Sequence, residues 1–145
     1  MDTLEARWEA GVPMLYSAWT AMLQDVQQHP DEEACGLLAG KSSGEWEIFP
    51  VTNSLHSPVR FYMQPEELVS VFNQIDERGW ELLAIYHSHL HGPPVPSPTD
   101  LAEFHYPGVL SLIWSTDEAG WVCRAFRIEG QRVYEVALRL VKAEE

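Results

Sequence analysis

An apolar run, Glu81-Leu-Leu-Ala-Ile-Tyr86, leads straight into His87-Ser88-His89, and four prolines stand among the next nine residues, before Asp100. The run reads as a strand, and the proline-rich stretch 90–96 reads as a loop. Ser97-Pro98-Thr99-Asp100 then reads as the start of a short helix. A loop of that length can swing the chain back so that the first turn of the helix faces the end of the strand. Strand alternation puts His87 and His89 on one face, with Cα atoms roughly 6.5–7 Å apart. Two imidazoles so placed can reach one ion.

A catalytic zinc site needs three protein ligands and one open position. Asp100 is the candidate third ligand, if the loop turns the chain back toward the histidines. His91 continues the alternation and competes for that place, although Gly92 and the prolines after it are expected to break the strand first. Water on zinc reaches a pKa of roughly 7 in favourable sites, and a nearby carboxylate can take its proton. Glu33, at the head of the apolar run closed by Gly40, can supply that carboxylate. Each part has a plainer reading. Ser97-x-x-Asp100 matches a capping box, H-x-H is common at strand ends, and a glutamate beside an apolar strand is ordinarily exposed.

Together these parts resemble the JAMM (MPN-plus) zinc metallopeptidases. Their pattern is a distant Glu followed by H-[ST]-H, seven residues, and S-x-x-D. Here seven residues, 90–96, separate His89 from Ser97. Glu33-Ala34-Cys35-Gly36 resembles the family's E-x-C-G segment and selects Glu33 over Glu32. Asn53, Arg60–Glu66 and Asp100–Gly108 also resemble the small bacterial members, and the likeness runs over roughly residues 14–115. Leu90 departs from the proline common after the second histidine, which alters loop stiffness rather than ligand chemistry.

The resemblance implies that His87, His89 and Asp100 bind Zn²⁺, that Glu33 is the catalytic base, and that Ser97 hydrogen-bonds the developing oxyanion or the water. As a cap, the Ser97 hydroxyl would face helix amides instead of the metal. The partner implied is a ubiquitin-like or sulfur-carrier protein with an extended C-terminal Gly-Gly tail, cleaved at a peptide or isopeptide bond, for example to release cysteine. The alternatives are a non-catalytic scaffold of the same fold and a zinc amidohydrolase acting on a small amide.

The chain has 145 residues, the size of one domain, and no internal repeat or dividing linker. Helices are expected from Pro13 to about His29, from Pro65 to Gly79, and from Ser97. Strands are expected at 33–40, from Trp46 to Pro50, at Val59–Met63, Glu81–Ser88, Val109–Trp114, Trp121–Ile128 and Arg132–Val141. Without a regular βαβ repeat, this order implies an α+β domain on a mixed, mostly antiparallel sheet. The resemblance adds an MPN-type, cytidine-deaminase-like architecture, with a curved sheet flanked by helices.

Nine Lys+Arg against 22 Asp+Glu give a net charge of −13, which disfavours nucleic acid and anionic lipid as partners. Two cysteines, Cys35 and Cys123, make no disulfide framework and read as buried thiols, with one bridge between them left open. Met1–Glu5 lacks the basic start of a signal peptide, and no apolar run approaches membrane-spanning length, so a cytoplasmic location is expected.

Overall fold

A computed structural model describes residues 11–41 and 44–142. The Met1–Glu5 segment lies outside the described residues. Strand β1 (Val12–Leu15) passes directly into helix α1 (Tyr16–Gln27); β2 (Cys35–Gly40), β3 (Trp46–Val51), α2 (Pro65–Glu77) and β4 (Glu81–His89) follow. Then come α3 (Pro98–Glu103), β5 (Leu110–Asp117), β6 (Gly120–Glu129), β7 (Arg132–Val136) and β8 (Leu138–Val141). Six strands form a sheet in the order β3-β2-β4-β5-β6-β7, antiparallel except for β4 beside β5. The expected α+β class with a mixed, mostly antiparallel sheet is therefore the one observed.

Helices cover both faces of the sheet. Ala18, Met22 and Val26 of α1 pack with Leu38, Ala84, Tyr86, Leu112 and Trp114. Val71 and Ile75 of α2 pack on the other face with Leu37, Ala39, Phe49 and Ile85. Alternation along β2 and β4 divides their side chains between these two cores. One irregularity matters to that division. Leu38 pairs with Ala84 but Ala39 pairs with Leu82, so Leu83 is an extra residue in β4. Leu83 and Ala84 both join the α1 core, while Leu82 packs on the α2 side. This bulge resets the parity of the strand beyond it, so that Ile85, His87 and His89 share the α2 face.

Three local expectations give way to tertiary pairing. Pro13 does not open a helix; it lies in β1, which pairs in parallel with β8, and α1 starts at Tyr16. Val59–Met63 forms no strand. The side chain of Asn53 takes its polar groups instead, donating to the Arg60 carbonyl (3.0 Å) and accepting from the Tyr62 amide (3.1 Å). A single bridge, Asn53 to Met63, is what remains of that pairing. Arg132–Val141 is two strands, because the chain leaves β6 at Ala137 to join β1. No helix of the described residues is long and apolar enough to cross a membrane.

Gly36 sits opposite Tyr86, and a Cβ there would lie 2.5 Å from the phenol ring. The missing side chain leaves room for the ring against Gly36, and its hydroxyl donates to Asp25 Oδ2 of α1 at 2.7 Å. Helix α1 is thereby fastened to the central strand. Gly36→Ala is expected to destabilise the protein by about 1–3 kcal/mol through overpacking, measured as a lower urea midpoint with an unchanged denaturant slope.

Candidate metal centre

The two histidines stand at the C-terminal end of β4, and both are buried. His89 Nδ1 lies 2.9 Å from the Pro93 carbonyl. A carbonyl only accepts, so Nδ1 carries a proton; Nε2 is the nitrogen turned toward Asp100, and once deprotonated it offers its lone pair to an ion. His87 is held by the Phe61 ring, stacked on it with centroids 4.5 Å apart. The proline-rich loop does bring Asp100 back. His87 Nε2 and His89 Nε2 are 3.0 Å apart, and Asp100 Oδ2 lies 3.3 Å from the first and 3.1 Å from the second.

Those separations suit a metal ion. Donors in a tetrahedral site with bonds near 2.0–2.1 Å lie about 3.3 Å from one another. The three donor atoms already make one face of such a tetrahedron. Nothing but an ion or a proton easily reconciles two imidazole nitrogens and a carboxylate oxygen at this spacing, so the group suggests a metal site. His91 is exposed and stands beyond the end of β4, outside this group.

Capping and convergence turn out to be compatible. Ser97 Oγ accepts from the Asp100 amide (3.0 Å), and Asp100 Oδ2 accepts from the Ser97 amide (2.8 Å). This capping box fixes the Asp100 rotamer, and the same Oδ2 faces the histidines. Ser97 Oγ thus acts as an acceptor toward the helix, with its own proton left to donate elsewhere.

Glu33 reaches this group through the pairing of β2 with β4. Cys35 pairs with His87. One residue on, Ser88 donates its amide to the Ala34 carbonyl (3.0 Å), and Ser88 Oγ accepts from the Ala34 amide (2.9 Å). Glu33 therefore falls opposite His89 on the same face. It is 4% exposed, unlike the exposed glutamate that its sequence context alone suggests. Its backbone is pinned on both sides, by its amide to the Ser57 carbonyl (2.8 Å) and by its carbonyl to Asn53 Nδ2 (3.0 Å).

Electrostatics follow from burial and proximity. Burial pushes the Glu33 carboxyl up to about 7, the Asp100 charge adds to that, and His89 opposes it. Burial also lowers His87. For His89, burial works against the charged form, but Asp100, the Pro93 carbonyl and Glu33 outweigh it and leave the pKa raised. Asp100 is likewise desolvated, yet its hydrogen bonds to both imidazoles hold it well below the usual carboxylate range. Cys35 and Cys123 are both free. Burial pushes the Cys35 thiol up to about 12, which leaves it protonated and inert.

Sequence reasoning assigned no role to three residues that shape this centre: Ser88, Asn53 and Phe61. Alternation pointed Ser88 away from the histidines, but not toward the Ala34 amide. The contacts that tie Asn53 to Glu33 and Phe61 to His87 span 20 or more residues of the chain, so no local pattern shows them. His105 lines the same cavity as His87 and Asp100.

The Glu33 shift has a consequence for stability in the metal-free protein. Its folded pKa lies above the unfolded value of 4.5, so the folded state binds more protons between pH 4.5 and about 7. Stability falls as pH rises through that window. Glu33→Gln is expected to remove this loss, gaining about 1–3 kcal/mol over the natural chain at pH 8 and little at pH 4. Urea unfolding at the two pH values, with chelator present, measures it.

Residues 16–129 match the family of prokaryotic homologues of the JAB domain. Over 91 residues the chain is 40% identical to a desampylase of Haloferax volcanii, a match spanning 61% of this chain and 66% of that one, just under two thirds of its length. Over 123 residues it is 36% identical to a probable TtuB-protein conjugate cleaving protease of Thermus thermophilus, covering 81% of this chain and 79% of that protein. The solution structure of a Desulfitobacterium hafniense protein superposes with a TM-score of 0.78 at 30% identity, covering 91% of this chain and 96% of its own. With the family match running from α1 to the end of β6, and the His-His-Asp group within it, this chain belongs to the prokaryotic JAB-domain family.

Proposed function

We propose that this protein is a zinc-dependent peptidase that hydrolyses the bond at the C-terminal Gly-Gly tail of a ubiquitin-like or sulfur-carrier protein. The observation that carries the reading is the convergence of His87 Nε2, His89 Nε2 and Asp100 Oδ2 beside a buried glutamate whose pKa is raised to about 7. Two neutral imidazoles and one carboxylate make a donor set suited to zinc with a fourth position open. The names of the Haloferax and Thermus relatives support the substrate class. Two free thiols suit a reducing compartment, and we place the protein in the cytoplasm.

In this reading His87, His89 and Asp100 hold the ion. When bound, zinc supplies an acidified water and polarises the scissile carbonyl. Glu33 takes the proton of the attacking water and delivers it to the leaving amine nitrogen. A carboxyl poised near 7 is suited to both transfers at neutral pH. The Ser97 hydroxyl, already accepting from the Asp100 amide, turns its free proton toward the oxyanion that forms on the attacked carbonyl. Pro93 and Phe61 keep the two imidazoles in orientation, and the Ala34–Ser88 pair keeps Glu33 beside them.

Two variants test the roles. Glu33→Gln is expected to lower cleavage of a carrier-protein conjugate by 10³-fold or more, while retaining one zinc per chain by metal analysis. Loss of the metal in that variant would instead make Glu33 a ligand. Asp100→Ala is expected to weaken zinc binding by 100-fold or more in a competition titration with a chelator. A purified protein that takes up no zinc at neutral pH would favour the scaffold reading.

A further inference from the structure

A cavity of about 430 Å³ opens beside the metal centre, with His87 and Asp100 in its wall. Its surface is mainly hydrocarbon, from Phe61, Met63, Leu68, Ile85, Phe104 and Tyr106. These come from four separate parts of the chain: the segment before α2, α2 itself, β4 and the turn after α3. Ser111 also contributes to the lining and is 4% exposed. Its neighbours Leu110 and Leu112 face the α1 core, so alternation along β5 turns the Ser111 side chain to the cavity side. The volume suits one large side chain together with its backbone.

If a carrier tail ending in Gly-Gly is attacked at its last carbonyl, no carrier side chain stands within two residues, roughly 6.6 Å, of the reacting carbon. The nearest side chain available to a cavity walled by His87 and Asp100 is then one on the other side of the scissile bond. We infer that this cavity is a specificity pocket for a bulky apolar side chain on the residue released from the carrier's C-terminus. This inference rests on the peptidase reading above and adds to it the character of the leaving residue. Charge narrows the choice further. The described lining holds two acids, Asp100 and Glu103, and no Lys or Arg, so an acidic leaving residue is disfavoured. The nearby cation, Arg60, is ion-paired with Glu103 at 2.7 Å. A lysine joined through its side chain leaves only a thin aliphatic stem in this space and fills it poorly.

The test uses the full chain loaded with zinc and a Gly-Gly-ending carrier extended by one variable residue and a short neutral peptide. With Phe at the variable position, kcat/KM is expected to exceed that with Gly by about tenfold or more, and Asp is expected to fall below Gly. Ser111→Met narrows the pocket and is expected to bring the Phe-to-Gly ratio toward one. Leu68→Trp is a second filling variant with the same expected outcome, should the first not fold. Equal rates for Phe and Gly, or a faster lysine-linked conjugate, would overturn the pocket while leaving the peptidase reading standing. Binding of phenylalaninamide to Glu33→Gln provides a readout without turnover. It should saturate and shift the NMR signals of Phe104 and Tyr106, with glycinamide far weaker. If nothing is cleaved yet that preference holds, the peptidase reading fails and takes the leaving-residue assignment with it, though the cavity's apolar preference is real; absent binding preference overturns the pocket.

Discussion

The site depends on the register between β2 and β4. Pairing Cys35 with His87 places Glu33 across from His89, and the reciprocal hydrogen bonds between Ala34 and Ser88 lock that register at the strand ends. A shift of one residue would turn Glu33 to the α1 face and leave the histidines without a carboxylate on the opposite strand. The extra residue at Leu83 is part of the same constraint. Without that bulge, the apolar half of β4 and its histidine half would be out of phase with the two cores they serve.

Burial then shifts an ordinary carboxyl toward neutrality. Glu33 is desolvated at a strand end, close to one charge that raises its pKa and one group that lowers it. Asp100 experiences the same desolvation but stays strongly acidic, because both imidazoles and the Ser97 amide bond to it. Two carboxylates a short way apart are thus driven in opposite directions, one toward its protonated form and the other toward its charged form. In the proposed mechanism, that division would separate proton transfer from ligation. It also explains why a capping box is compatible with the centre: the same contact that starts α3 aims the carboxylate.

Much of the candidate site was legible because its parts are local. His87, Ser88 and His89 lie in one strand, and Ser97 to Asp100 lie in one helical turn, so periodicity and capping patterns locate them. The elements misread were those whose backbone bonds go to partners outside the element itself. Pro13 looks like a helix start until β8, some 126 residues away in the chain, supplies a parallel edge. Val59–Met63 has strand-like composition, yet the amide of Asn53 occupies backbone groups that a neighbouring strand would need. Ala137 breaks an apparently continuous strand because the chain there changes sheets.

The sequence by itself determined which donor atoms are present, their spacing along the chain, and the strand and helix turn that carry them, since these follow from alternation and capping within a few residues. Only the tertiary structure decided that Asp100 rather than His91 joins the histidines, that Glu33 is buried beside them, and that an apolar cavity opens at their side. Those outcomes depend on loop closure, strand register and packing between segments far apart in the chain, and no short stretch of residues encodes any of them alone.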